Sequence, residues 1–217
     1  MREYLKKNKW LMVVTSIIIL LPILGGVLLW DKLPERVPFH WGINGEVDGW
    51  ASKPMAVFGL PPFMLAIQWI CILATGLEPK AKNVTTTKML GLVLWIIPVL
   101  SVVMNALVYC TAMGMDMKVQ VIVPLLVGLM LVIIGNWLPK CKPTWTLGIK
   151  LPWTLADEDN WNRTHRFAGP IWVAGGMVIM LCALIGGAFL WVMPVAFVAM
   201  IAAPTVYSYL LFKGKIK

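Results

Sequence analysis

The chain has 217 residues, of which 59% are hydrophobic and only 13% charged, and it carries a formal net charge of +9. Soluble domains run near a quarter charged, so this composition excludes an ordinary water-soluble globule and calls for lipid around most of the chain. The positive balance would suit nucleic acid, but the cations are placed as membrane topology places them.

Trp10–Trp30 is the first stretch without Asp, Glu, Lys, Arg or His, and its 21 residues match the roughly 20 that a helix needs to cross the hydrocarbon core. Its basic flank raises the possibility of a signal peptide. The apolar part is too long for one and no A-x-A site follows, so a retained anchor is expected. Asp31 to Lys53 then forms a loop rich in turn residues. Pro34 and Pro38 stiffen its start, and Asn44–Gly45 is a strong tight-turn signal. Val37–Trp41 going out and Glu46–Trp50 returning would make a compact hairpin. His40, Glu46 and Asp48 have no metal-ligand spacing, so His40 and Trp41 are expected to pack at the membrane surface with the acids solvated.

Pro54–Leu77, Met89–Met115 and Val119–Pro139 are three further uncharged stretches of spanning length. Asn83-Val-Thr85 matches a glycosylation acceptor but falls on the predicted cytoplasmic side and is discarded. The loop from Lys140 to Arg166 follows. Gly148 to Trp153 is an apolar-basic segment suited to the membrane interface. Thr154 with Asp157 reads as a helix start, and Asp159 and Arg163 stand four apart as a modest pair. Trp161 and His165 share a face, predicted to lie at headgroup level, with Arg166 reaching lipid phosphate. Gly169–Pro170 permits a bend into the next span. The last uncharged stretch, Phe167–Phe212, has 46 residues and reads as two spans joined by a turn within 187–193.

Six spans result. The fold class is all-α, a polytopic membrane protein with both termini inside, a short extracellular hairpin-like loop and a cytoplasmic interfacial helix. Fifteen of the 19 cations fall on one side, in the N-terminus, the second loop, the fourth loop and the tail, against Lys32, Arg36, Lys53 and Lys118 on the other. The basic side is therefore predicted to be cytoplasmic. Residues 1–88 and 89–217 are the expected divisions.

No catalytic constellation is legible. The spans hold Ser16, Ser101 and cysteines but no His, Asp or Glu, so an intramembrane enzyme is not expected. The four cysteines show no CxxC or Cys/His spacing and read as buried small hydrophobes. No cofactor or metal is expected. A transporter or channel is the alternative reading, weakened because transporters commonly carry ionisable groups within their spans. Asn105 and Gln120 are the main polar candidates there, and each reads more simply as an interhelical hydrogen bond.

Two segments resemble the SdpI family of bacterial immunity proteins. Leu33-Pro-Glu-Arg-Val-Pro-Phe-His-Trp41, Gly45-Glu-Val-Asp-Gly49 and Ser52-Lys53 resemble the small DUF1648-type segment that often precedes the family's main region. Gly135-Asn136, Gly148-Ile-Lys-Leu-Pro-Trp-Thr-Leu155, Trp161 and Thr164-His-Arg166 resemble the SdpI region itself. Lys150-Leu151 stands where Arg-Thr is preferred, and Thr144 where Asn is common, which weakens any contact that needs an arginine's two-pronged grip.

The resemblance implies six helices in the bacterial cell membrane and protection against a secreted peptide toxin. It also implies toxin-dependent sequestration of a transcriptional repressor at the membrane. The candidate partner-binding residues are Gly148, Lys150, Pro152, Trp153, Thr154, Trp161, His165 and Arg166. Those of the outer loop are Pro34, Pro38, His40, Trp41, Gly45 and Asp48. The expected partners are the lipid bilayer, a toxin outside and a repressor inside, with no direct nucleic-acid contact.

Overall fold

The computed structural model describes residues 8–76, 84–186 and 191–216. The basic residues Arg2, Lys6, Lys7, Lys80, Lys82 and Lys217, the Asn83 acceptor and Gly187 of the expected turn lie outside them. The described residues are mostly helical, and six helices are long and apolar enough to cross a membrane. Their surfaces agree with that reading. Leu28, Phe63, Ile70, Leu184, Val195 and Ile201 all point outward and exposed. In water such a surface would be an aggregation liability; in lipid it is the ordinary exterior of a span. The chain is a multi-pass membrane protein.

The chain divides into two compact units. In the first, α1 (Lys9–Leu28) runs into a single 3₁₀ turn (Trp30–Lys32). Strands β1 (Arg36–Trp41) and β2 (Val47–Ser52) follow. Then come α2 (Lys53–Phe58), α3 (Leu60–Gly76) and, from Leu90 on, α4 (Val84–Ala112). The second span is thus broken at Gly59. Pro61 and Pro62 supply no amides for the carbonyls of Val57 and Phe58, and the helix is interrupted there.

The expected hairpin forms. β1 and β2 pair antiparallel, with Val37 opposite Ala51 and Pro38 opposite Trp50, and register irregularities beyond Pro38. Gly45 sits at φ 86°, the left-handed region that glycine adopts without strain. Gly49 lies so close to His40 that a Cβ there would meet the His40 Cβ at 2.7 Å. Leu33 and Val37 are buried with Ala56, Val57, Val108 and Tyr109. Apolar side chains therefore seat the hairpin on the helix ends.

The second unit holds α5 (Val119–Trp137), a 3₁₀ turn (Leu138–Lys140), α6 (Pro152–Ala156), α7 (Glu158–Ile185) and α8 (Val192–Phe212). Glycines bring α5 and α7 together. A Cβ on Gly135 would lie 2.9 Å from the Gly169 carbonyl oxygen, and one on Gly176 would lie 2.6 Å from that of Gly128. Small residues at such crossings replace the hydrophobic drive that lipid cannot provide.

Two sequence expectations fail in this unit. There is no separate interfacial helix ahead of a bend at Gly169–Pro170. The segment continues as one helix from Glu158 to Ile185 with Pro170 inside it, and Gly169 serves the close packing against Pro139 and Gly135. Nor does Thr154 cap that helix. Asp157 does, accepting the Asp159 amide at 2.9 Å, while Thr154 lies within α6. Pro152, with φ fixed and no amide to satisfy, starts α6 in its place.

Candidate functional site

The loop of the second unit that follows Lys140 folds back over the first turns of α7. Trp161 and His165, one turn apart, present a common face, and their rings stack with centroids 4.1 Å apart. Both are fully buried, so their rings are not open to lipid headgroups. The cover is the loop itself. The Trp161 Nε1–H donates to the Cys141 carbonyl at 2.8 Å, and Trp161 and Cys141 form a small core with Trp137, Leu147 and Leu155. His165 uses both nitrogens. Nδ1 lies 2.8 Å from the Trp161 carbonyl, which can only accept, so Nδ1 carries the proton. Nε2 then accepts the Ile149 amide at 2.9 Å. These partners fix a neutral imidazole. A second proton would set N–H against N–H.

Gly148 makes this fit possible. Its φ is 107°, and a Cβ would lie 2.6 Å from His165 Nε2 and 2.7 Å from Trp161 Cζ2. Two threonines complete the turn. The Thr144 hydroxyl donates to the Leu147 carbonyl at 2.8 Å and accepts the Leu147 amide at 3.1 Å. Thr154 Oγ1 accepts the Leu151 amide at 2.9 Å and faces the Ile149 and Leu151 carbonyls. Burial in this core raises the Cys141 thiol from 9.0 to about 11, so it stays protonated at neutral pH. Its S–H points toward the carbonyls of Lys142 and Leu147.

A second set of bonds ties the loop to α8. Trp153 Nε1–H donates to the Ser208 hydroxyl at 2.8 Å, and its ring stacks on Phe212 and meets Tyr209 edge-on. Ser208 Oγ donates to Asn160 Oδ1 at 2.7 Å, Thr164 Oγ1 donates to the same oxygen, and Asn160 Nδ2 donates to the Ser208 carbonyl. Asn160, Thr164 and Ser208 are all buried. Sequence reasoning passed over Asn160 and Ser208. They are 48 positions apart, and neither belongs to a run that would draw notice; a polar residue on the inward face of each helix was the available signal.

The predicted partner-binding residues therefore divide. Gly148, Thr154, Trp161 and His165 are consumed in holding the loop, and Trp153 is half-buried against α8. Lys150, Pro152 and Arg166 are exposed. Lys150 Nζ reaches back to the Thr146 carbonyl at 3.4 Å. Arg163 pairs with Asp159 at 3.7 Å, as its spacing predicted.

In the hairpin of the first unit, Trp41 packs against the Leu33–Val37 core, and Gly45 makes the turn. His40 does not pack. It is exposed and its Nδ1 pairs with Asp48 Oδ1 at 2.5 Å. No group of three metal-ligating side chains occurs among the described residues. The residue that the sequence undervalued is Lys53. It is buried at the base of the hairpin, 2.9 Å from Glu35, donating to the Trp30 carbonyl at 3.3 Å, and lying over the Trp30 ring.

Residues 140–208 match the model of the SdpI/YfhL protein family, the segment from the first loop residue to the serine that Asn160 holds. This part of the chain is similar to the SdpI/YfhL family. Residues 17–65 match a domain of unknown function, DUF1648, which covers the whole hairpin. The immunity protein SdpI of Bacillus subtilis (strain 168) is 27% identical over 210 residues, covering 96% of this chain and 97% of that protein. No solved structure matches. Each match takes in spanning helix together with a part of the chain that is not simply a span, the loop after Lys140 in one and the hairpin in the other.

Proposed function

We propose that this chain is a membrane immunity protein that protects its cell against a secreted peptide toxin. The observation that carries the reading is the end-to-end similarity to an immunity protein of nearly equal length. The ordered SdpI loop supports it. A loop held by Trp161, His165, Thr154 and Asn160 is a rigid platform, and rigid platforms carry recognition residues with little ordering cost on binding. The cation distribution supports a cytoplasmic loop 140–166 and tail and an extracellular hairpin. Toxin then meets the hairpin and the lipid-facing helix surfaces. A repressor held at the membrane meets the exposed side of the loop, where Lys150, Pro152 and Arg166 stand free of the core.

The test is expression in a toxin-sensitive bacterial host together with the toxins encoded beside the gene. Survival is expected, and unchanged killing by each of them overturns the reading. Lys150→Ala with Arg166→Ala separates the two roles. Membrane level and survival should hold while repressor recruitment, followed by fluorescence microscopy, falls at least about tenfold. Equal recruitment would remove these side chains from the repressor-binding surface.

A further inference from the structure

The loop after Lys140 sorts its side chains into two sets. Cys141, Thr144 and Leu147, three residues apart, turn inward, toward Trp161 and into the turn that the Thr144 hydroxyl closes. From Cys141 to Lys150 the exposed residues are Lys142, Trp145 and Lys150, two cations and an indole that is 63% exposed. Lys140 is exposed just ahead of them, with Nζ 5.1 Å from the centre of the Trp137 ring. No acid occurs between Lys140 and Asp157. Among the described residues none of these three lysines is ion-paired.

The depth of this surface follows from α7. The uncharged stretch of that helix begins at Phe167. His165, which accepts the Ile149 amide, stands two residues outside it, and Trp161, which donates to the Cys141 carbonyl, stands six. At 1.5 Å per residue these levels are about 3 and 9 Å beyond the apolar run. The headgroup layer of one leaflet is about 5–8 Å thick. The loop is therefore bonded to α7 across the level of the headgroups. An indole exposed at that level is stabilised by its amphipathic ring, and an unpaired ammonium there by the negative charge of acidic lipids.

We propose that Lys140, Lys142 and Trp145 form a contact surface for anionic phospholipid headgroups, with the indole lodged among them and the two ammoniums on their phosphates. Lys150 contributes less, because its Nζ is turned back toward the Thr146 carbonyl at 3.4 Å. The sequence placed the interfacial segment at Gly148–Trp153. Gly148 is instead packed against the Trp161–His165 pair and Trp153 against α8, which leaves the preceding stretch to meet the lipid. The contact does not depend on the immunity reading.

The test uses the full chain in proteoliposomes of equal parts phosphatidylcholine and phosphatidylglycerol with the same acyl chains. Benzoylphenylalanine replaces Trp145, one exposed ring for another, or Leu184, an exposed position inside α7. Lipid adducts are identified by mass spectrometry. At position 145 phosphatidylglycerol adducts should outnumber phosphatidylcholine adducts by about fivefold, the weight of one lysine near a charged surface; at position 184 the two should be close to equal. A second probe at Pro143 leaves Trp145 in place and should show the same preference. Lys140→Gln with Lys142→Gln changes two exposed side chains and should bring the ratio at 145 down to that at 184, while continued adducts at 184 report that the spans remain in the bilayer. Equal numbers of the two adducts at both loop positions overturn the proposal. So does a lack of lipid adducts there when position 184 gives them, or a preference that survives the loss of both lysines.

Discussion

Gly148 shows how much one residue can carry. Its backbone occupies a region that other residues enter at a strain cost of roughly 1–3 kcal/mol, and the Trp161–His165 stack fills the space where a side chain would go. Gly148→Ala is expected to lower stability by at least that strain, with insertion into the membrane unaffected; thermal unfolding in detergent measures it. Cys141 gives a pH dependence. The folded state holds its thiol proton up to about pH 11, against 9.0 for an ordinary thiol. Its contribution is whole below pH 9 and lost as pH rises from 9 to 11, because the unfolded chain releases the proton first. Two units correspond to at most about 2–3 kcal/mol, and Cys141→Ala should flatten that part of the alkaline unfolding curve. Neither residue's role was legible in advance. The motif around Gly148 was, but its reason is a ring stack that forms only when the loop folds over α7.

At the scale of elements, the sequence was most informative where lipid is the solvent. Lipid allows no charge and no free backbone group, so Trp10–Trp30 or Val119–Pro139 declares itself by composition. Water imposes no such rule on loops. The hairpin could be read from Asn44–Gly45 because the turn is local, but the burial of Lys53 could not, since it depends on Trp30 and Glu35 arriving from elsewhere. Likewise Thr154 with Asp157 read as a single helix start, whereas Pro152 opens α6 and Asp157 caps α7, a division that only the fold of the loop decides. Lys53 also yields a prediction about the hairpin. Its partner Glu35 is 88% exposed at the side chain, so Glu35→Ala should cost less than about 1 kcal/mol. Lys53→Ala removes a buried stem, a bond to the Trp30 carbonyl and a cation–ring contact, and should cost about 2 kcal/mol. Thermal unfolding of the two variants side by side gives the order, and a larger loss from Glu35→Ala would mean that the ion pair, not the burial, holds the hairpin base.

For the molecule as a whole, six helices long and apolar enough to span were anticipated in number and position. The uncharged runs placed most of their edges to within a few residues, but the fifth helix starts at Glu158, nine residues ahead of the run that begins at Phe167. The expected sidedness rests on cation counts alone, and it makes a direct prediction. His40→Cys in the hairpin and Lys142→Cys in the SdpI loop are both exposed positions. A membrane-impermeant maleimide added to intact cells should label the first and spare the second, and lysed cells should give both. Labelling of both in intact cells would reverse the assignment of compartments.

The bonds from Asn160 and Trp153 to Ser208 also set an order of events during synthesis. The ribosome delivers the loop and α7 before it delivers α8. Until the last helix is inserted, the Asn160 amide nitrogen and the Trp153 indole lack their partners on α8, and the platform is incomplete. A chain that ends ahead of Ser208 therefore leaves an amide donor and an indole N–H unbonded, so the loop and the last helix are completed together.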